Sequence, residues 1–179
     1  MDTVQVILVD EQDRETGVAE KMQAHREGLL HRAFSIFIFN RRGDMLLQQR
    51  ALEKYHSGGL WTNACCSHPL PGEETPAAAS RRLREELGIH TTLEKIFDFT
   101  YRSGLDQGLV EHEFDHVFAG FYDGDIPYDQ TEVMAVCYKT MDTIRQELET
   151  EPEQFTTWFR IAFPAVRKWW KEQQGLQQR

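Results

Sequence analysis

Apolar residues fall into two rhythms along this chain. Over residues 33–40 they alternate, with Phe34, Ile36 and Ile38 on one side and Ser35, Phe37 and Phe39 on the other. Bulk on both sides predicts a strand buried on both faces. Arg41, Arg42, Gly43 and Asp44 then read as a hairpin turn, and residues 45–50 as the returning strand. Residues 4–9 predict an earlier strand, and 10–17 a polar connection. A loop with a glycine pair follows at 55–60. Residues 61–68 predict a strand leading into a turn at 69–72. Further strands are expected over 95–101, 113–121 and 133–139. The rhythm changes at Thr75, a cap-type residue followed by Pro76. Ala77, Ala78, Ala79, Leu83 and Leu87 continue a helix that Gly88 should stop. Residues 141–150 and 156–174 predict two more helices, the second kinked at Pro164. The sum is a mixed α/β chain of short strands around one well-marked helix, without internal repeats.

Length and composition narrow this picture. A chain of 179 residues with 40% hydrophobic content suits one domain. The net charge is −9, from 20 Lys and Arg against 29 Asp and Glu. That balance argues against nucleic-acid binding, which needs a dense basic face. It leaves room for an anionic small ligand held by a few placed cations. Met1, Asp2, Thr3 and Val4 lack the basic start of a secretory signal, and no apolar run approaches the ~20 residues of a membrane span. A cytoplasmic protein without membrane insertion is expected. Cys65, Cys66 and Cys137 are an odd set, two of them adjacent, and predict reduced thiols rather than a disulfide framework.

The helix at 75–87 carries the first chemical signal. Arg81 and Arg82 lie one turn from Glu85 and Glu86. Carboxylates suit a hard divalent cation, and arginines suit a diphosphate. Charge pattern alone equally describes a solvated helix face with ion pairs. The spacing goes further, because it resembles the Nudix box. Glu73, Arg81, Leu83, Glu85, Glu86, Gly88 and Ile89 match that pattern. Ser67 replaces its leading glycine, and Arg82 stands where the family has a glutamate. The arginine puts simple diphosphate hydrolysis in doubt, since it removes a metal ligand and adds a competing cation.

Three other pieces stand out. In an extended segment Cys66 and His68 share one face and Cys65 takes the other. Such a pair suits a metal site, an activated thiol or simple packing. Glu111 and Glu113 likewise share a face, and two carboxylates so placed repel unless a metal or proton lies between them; an exposed acidic edge is the plainer alternative. His25 and His31 are six residues apart and individually weak as evidence. His56, His90, His112 and His116 read as structural or surface residues.

Taken together, these pieces resemble the type 1 isopentenyl-diphosphate isomerases, a branch of the Nudix superfamily. The resemblance rests on His25, His31, Trp61-Thr62-Asn63, Cys66, His68, Pro69, Glu86-Leu87-Gly88, Tyr101-Arg102, Glu111-His112-Glu113 and Trp158. Arg82 is typical of this branch. The resemblance implies a Nudix-like α/β fold with a core at about 30–165, within one domain spanning 1–179 with an N-terminal extension. It implies a divalent metal, manganese first and zinc or magnesium otherwise, on His25, His31, His68, Glu111 and Glu113. Glu86 would help hold Mg²⁺ on the substrate diphosphate. Lys21, Arg50, Lys54, Arg81 and Arg82 are the expected diphosphate contacts. Cys66 and Glu113 would be the catalytic pair, with Tyr101 relaying a proton and Trp158 over a developing cation. Trp61 is expected as packing that shields the site. Isopentenyl and dimethylallyl diphosphate are the implied substrates, and a monomer or weak homodimer the implied assembly.

Overall fold

The computed structural model describes residues 3–178. The expected one-domain span from 1 to 179 therefore has its ends, Met1, Asp2 and Arg179, outside the described residues. In chain order come β1 (Gln5–Val9), β2 (Glu15–Glu20), α1 (Lys21–Glu27), β3 (His31–Phe39), β4 (Met45–Arg50), β5 (Trp61–Thr62), β6 (Cys65–Ser67), α2 (Thr75–Leu87), β7 (Glu94–Gly104), β8 (Val110–Phe121), β9 (Val133–Lys139), α3 (Met141–Thr150) and α4 (Thr157–Gln177).

The double-sided bulk of β3 explains its central place. One side, Phe34, Ile36 and Ile38, packs with Ala78, Ala79, Leu83 and Leu87 of α2. The other, Phe37 and Phe39, packs with Ile144 of α3 and Phe159, Phe163 and Val166 of α4. The mixed sheet thus lies between α2 on one face and α3 and α4 on the other. Its main path runs β2-β1-β3-β4-β5. β3 also pairs antiparallel with β6 and parallel with β8, from His31 opposite Glu113 to Phe39 opposite Phe121. β7 pairs with β8, and β9 with β4.

Several elements differ from the sequence expectations. The polar connection at 10–17 is shorter, because β2 begins at Glu15 and takes its ladder from β1. The strand expected at 61–68 is broken at Asn63 and Ala64. Its first piece pairs with β4 and its second with β3. Asn63 makes this change of partner cheap, since its Nδ2 donates to the carbonyls of Ile36 and Cys65 and replaces ladder bonds. β7 and β8 are longer than expected and meet in a hairpin through a short 3₁₀ turn at Asp106–Gly108. The cap of α2 is Glu74, with no side-chain capping bond, and Thr75 is already helical. The C-terminal signal holds: Gly88 is left-handed at φ 66°, and a Cβ there would meet Pro127 Cγ at 2.6 Å. α4 runs through Pro164 without ending. Among the described residues no helix is long and apolar enough to cross a membrane.

Candidate active site

Strand alternation on β8 turns Glu111, Glu113 and Asp115 to one buried face. Tyr101 on β7 lies opposite Glu113 in register. Its phenol contacts Glu111 directly and lies 3.0 Å from Glu113 Oε2. From β3, on the other side, comes His31. α1 supplies His25, and the residue after β6 is His68. Ligand atoms of His25, His31, His68 and Glu113 all lie within 4.8 Å of one another. Glu111 is not in that group. It forms a second, overlapping one with His25 and His56, again within 4.8 Å. All five ligands expected from sequence lie in these two overlapping groups, which share His25. His56, expected to be structural or at the surface, is a buried member of the site.

Backbone carbonyls fix the tautomers of His25 and His31. His25 Nδ1 lies 2.7 Å from the Lys21 carbonyl, and His31 Nδ1 lies 2.8 Å from that of Leu29. A carbonyl only accepts, so each Nδ1 carries the hydrogen and each Nε2 presents a lone pair. Both Nε2 atoms are buried without a hydrogen-bond partner. His31 Nε2 stands 3.4 Å from Glu113 Oε1, and His68 Nε2 stands 3.0 Å from it. Unpaired nitrogen lone pairs facing buried carboxylates suit a divalent cation.

Burial and neighbouring charges move the titratable groups of this cluster in opposite directions. Burial opposes ionisation of Glu113, but the neighbouring imidazoles of His31 and His68 outweigh it and hold this carboxyl well below its usual range. Burial, and then the charge of Glu113, push Glu111 well up. Burial also lowers His25, and lowers His68 to about 4 against the opposing hydrogen bond from Glu113. A folded value below the ordinary 6.5 means that protons bind the unfolded chain preferentially. Stability from His68 is complete above pH 6.5 and drains away as pH falls toward 4. Metal-free protein should lose of order 3 kcal/mol between pH 7 and pH 4 through this group. Urea midpoints measured across that range should fall; a flat profile would contradict the assignment.

Cys66 sits at the edge of this cluster. Its sulfur lies 3.1 Å from Asn63 Oδ1, receives Trp158 Nε1–H at 3.0 Å, and approaches Ser35 Oγ at 3.5 Å. The same serine donates to Asp115 at 2.7 Å. Asn63 Oδ1 must accept, because its amide nitrogen is committed to two carbonyls. Burial, and then the charge of Asp115, push the Cys66 thiol up, so it keeps its proton. Cys65 points the other way, fully buried in the core beside Glu86. Trp158 is buried against the edge of His56, with Arg50 over its indole at 5.2 Å. Trp61 packs on the α3–α4 side of the sheet and is not among the residues lining either pocket.

A narrow pocket of about 30 Å³ holds Cys66, Glu111, Glu113, His56 and Trp158. Through Cys66 and His68 it adjoins a cavity of about 220 Å³ lined by Lys21, Arg50, Lys54, Arg81 and Arg82 together with Glu86 and Glu132. The cations are not equivalent. Arg81 is clamped by Glu73 at 2.8 and 2.9 Å and also reaches Glu85. Arg82 donates to Glu86 and Glu85, each at 2.7 Å. Lys54 contacts Glu132. Among the described residues no carboxylate is paired with Lys21 or Arg50; Lys21 stands over the Tyr55 ring at 4.4 Å. Ser35, Asp115, Tyr55 and Glu132 line or adjoin the site and are not singled out by the sequence patterns. His112 bonds the Gly28 carbonyl and His116 bonds Asp13, as structural residues do.

The NUDIX domain family matches residues 29–159. An isopentenyl-diphosphate Delta-isomerase of Pectobacterium atrosepticum is 51% identical over the full length of both chains. One of Burkholderia multivorans is 48% identical, over 92% of this chain and 96% of that one. Among solved structures, a Deinococcus radiodurans protein superposes with a TM-score of 0.76 at 16% identity, covering 90% of this chain and 98% of that one. A MutT protein from Methanosarcina mazei gives 0.65 at 19% identity, covering 78% and 94%. At such low identities these two speak to the fold alone.

Proposed function

Because this chain belongs to the Nudix family, and within it to the isopentenyl-diphosphate Delta-isomerases, we propose that Cys66 and Glu113 make the proton transfers by which it interconverts isopentenyl and dimethylallyl diphosphate. The observation that carries this assignment is the narrow pocket that both residues line, opening onto the cationic cavity.

The reaction adds a proton to the terminal methylene of the alkene and removes one from the carbon on the other side of the double bond. The diphosphate is untouched. Alkenes are weak bases, so protonation passes close to a tertiary carbocation. Such a species needs an acid and a base in position and no water to trap it. Cys66 keeps its proton by burial and presents its thiol at the pocket wall. Glu113 is the ionised member of the carboxylate pair, and Tyr101 can pass a proton between Glu113 and Glu111. The Trp158 indole would face the developing cation, an interaction of about 2 kcal/mol in a desolvated site. Lys21 and Arg50, with Lys54, Arg81 and Arg82, would hold the diphosphate so that its binding energy places the hydrocarbon tail.

His25, His31, His68 and Glu113, with Glu111 and His56 beside them, would hold a divalent ion, manganese first. Such an ion would orient Glu113 and offset the charge of the carboxylate pair. Glu86 would meet Mg²⁺ carried by the substrate diphosphate. The enzyme would work in the cytoplasm as a monomer or weak homodimer.

Purified protein with isopentenyl diphosphate and Mg²⁺ in D₂O provides the test. Proton NMR should show dimethylallyl diphosphate carrying deuterium while the phosphorus spectrum keeps an intact diphosphate. Release of monophosphate or free phosphate would instead mark a hydrolase.

A further inference from the structure

Glu132 precedes β9 and closes one side of the cationic cavity. Its carboxylate contacts Lys54 and lies 3.7 Å from Arg82 Nη2, the same nitrogen that donates to Glu86 at 2.7 Å. Two carboxylates therefore share the cations that an anionic ligand would need. The main chain at Glu132 is anchored on both sides. Its carbonyl accepts from Ala51 N–H at 3.1 Å, in the segment that carries Lys54. Its own N–H donates to the Asp129 carbonyl, and Asp129 N–H donates to the Glu86 carbonyl at 2.8 Å. The backbone thus ties Glu132 to both neighbours. Burial works against its charge, but Lys54 and Arg82 hold the carboxyl below its usual range, so it is ionised at neutral pH.

A bare diphosphate entering this cavity brings its whole negative charge against Glu86 and Glu132. A diphosphate complexed to a divalent cation brings far less, and both carboxylates attract the cation itself. On the reading that this cavity binds the substrate diphosphate, we propose that Glu132 is a specificity-determining residue: it admits the magnesium complex and rejects the bare anion. It need not ligate the ion, because the charge acts through space in a partly buried site. Lys54 is thereby kept in place without being so strongly cationic, in sum with Glu132, that free phosphates fill the cavity.

Calorimetric titration of inorganic diphosphate tests this on the wild type, Glu132→Gln and Glu132→Asp, in magnesium-free buffer and in excess magnesium. The readout is the ratio of the two Kd values. Loss of one charge from the cavity wall should shrink that ratio about tenfold in Glu132→Gln, chiefly because bare diphosphate binds more tightly. Glu132→Asp keeps the charge and should keep the wild-type ratio. A purely structural role would weaken both forms alike, and an unchanged ratio overturns the proposal even if both affinities fall. If inorganic diphosphate binds the wild type in neither buffer, the diphosphate reading of the cavity fails, and the proposal with it.

Discussion

Cys66→Ala should turn over isopentenyl diphosphate at least about a thousandfold more slowly than the parent, within the range for losing a positioned proton-transfer group. No neighbour can substitute. Cys65 lies on the opposite face of the strand, inside the core, and the hydroxyl of Ser35 is engaged by Asp115. The fold should survive. The sulfur is small, and its removal leaves Trp158 Nε1 without an acceptor, a loss of about 1–2 kcal/mol. Asn63 Oδ1 still receives the Thr62 hydroxyl at 2.9 Å. Coupled measurements of kcat and thermal unfolding decide the matter. Cys65→Ala is the matched control and should keep most activity. An inactive Cys65 variant beside an active Cys66 variant would show that the reactive thiol is the other one.

Glu113→Gln is the second large effect, and it should be seen in two readouts at once. The carboxylate is shared by His31, His68 and the Tyr101 phenol. A neutral amide cannot take up a proton, so turnover should fall at least about a thousandfold. It also presents one oxygen and an NH₂ group where imidazole lone pairs converge, so metal affinity should fall by about a hundredfold or more. Metal content by elemental analysis, taken beside the activity, separates the two. Full metal loading with no turnover would assign Glu113 to proton transfer alone. Near-normal turnover would remove it from the mechanism.

Periodic elements were legible in the sequence, and elements made by partners were not. The two-faced bulk of β3 and the amphipathic, glycine-stopped α2 announce themselves because each buries its own pattern. β2 has no such pattern: Glu15, Thr16 and Gly17 are exposed, and the strand exists because β1 offers it a ladder. The same division holds at the site. Alternation alone put Glu111 with Glu113 and Cys66 with His68, and the family resemblance drew in His25, His31, Tyr101 and Trp158. His56 escaped because its burial depends on how the 55–60 loop closes. Ser57 is left-handed at φ 54°, and Gly58 packs so tightly that a Cβ would meet the Leu52 carbonyl at 2.4 Å. Nothing in a single histidine beside a glycine pair reports such closure. Glu132 escaped for a related reason. It is one acid in a polar stretch, and its meaning comes from Lys54 and Arg82, which reach it only through space.

The parallel pairing of β3 with β8 has a consequence for how the protein is made. Parallel neighbours cannot be joined by a tight turn and need a long crossover between them. His25 and His31 leave the ribosome early, while Glu111 and Glu113 are still unsynthesised. Most of the intervening chain, α2 included, must be laid down before imidazoles and carboxylates can meet. Contacts of such separation are slow to form. The donor set is therefore assembled by nearly finished tertiary structure, and an ion held there would be chosen in the last act of folding rather than the first.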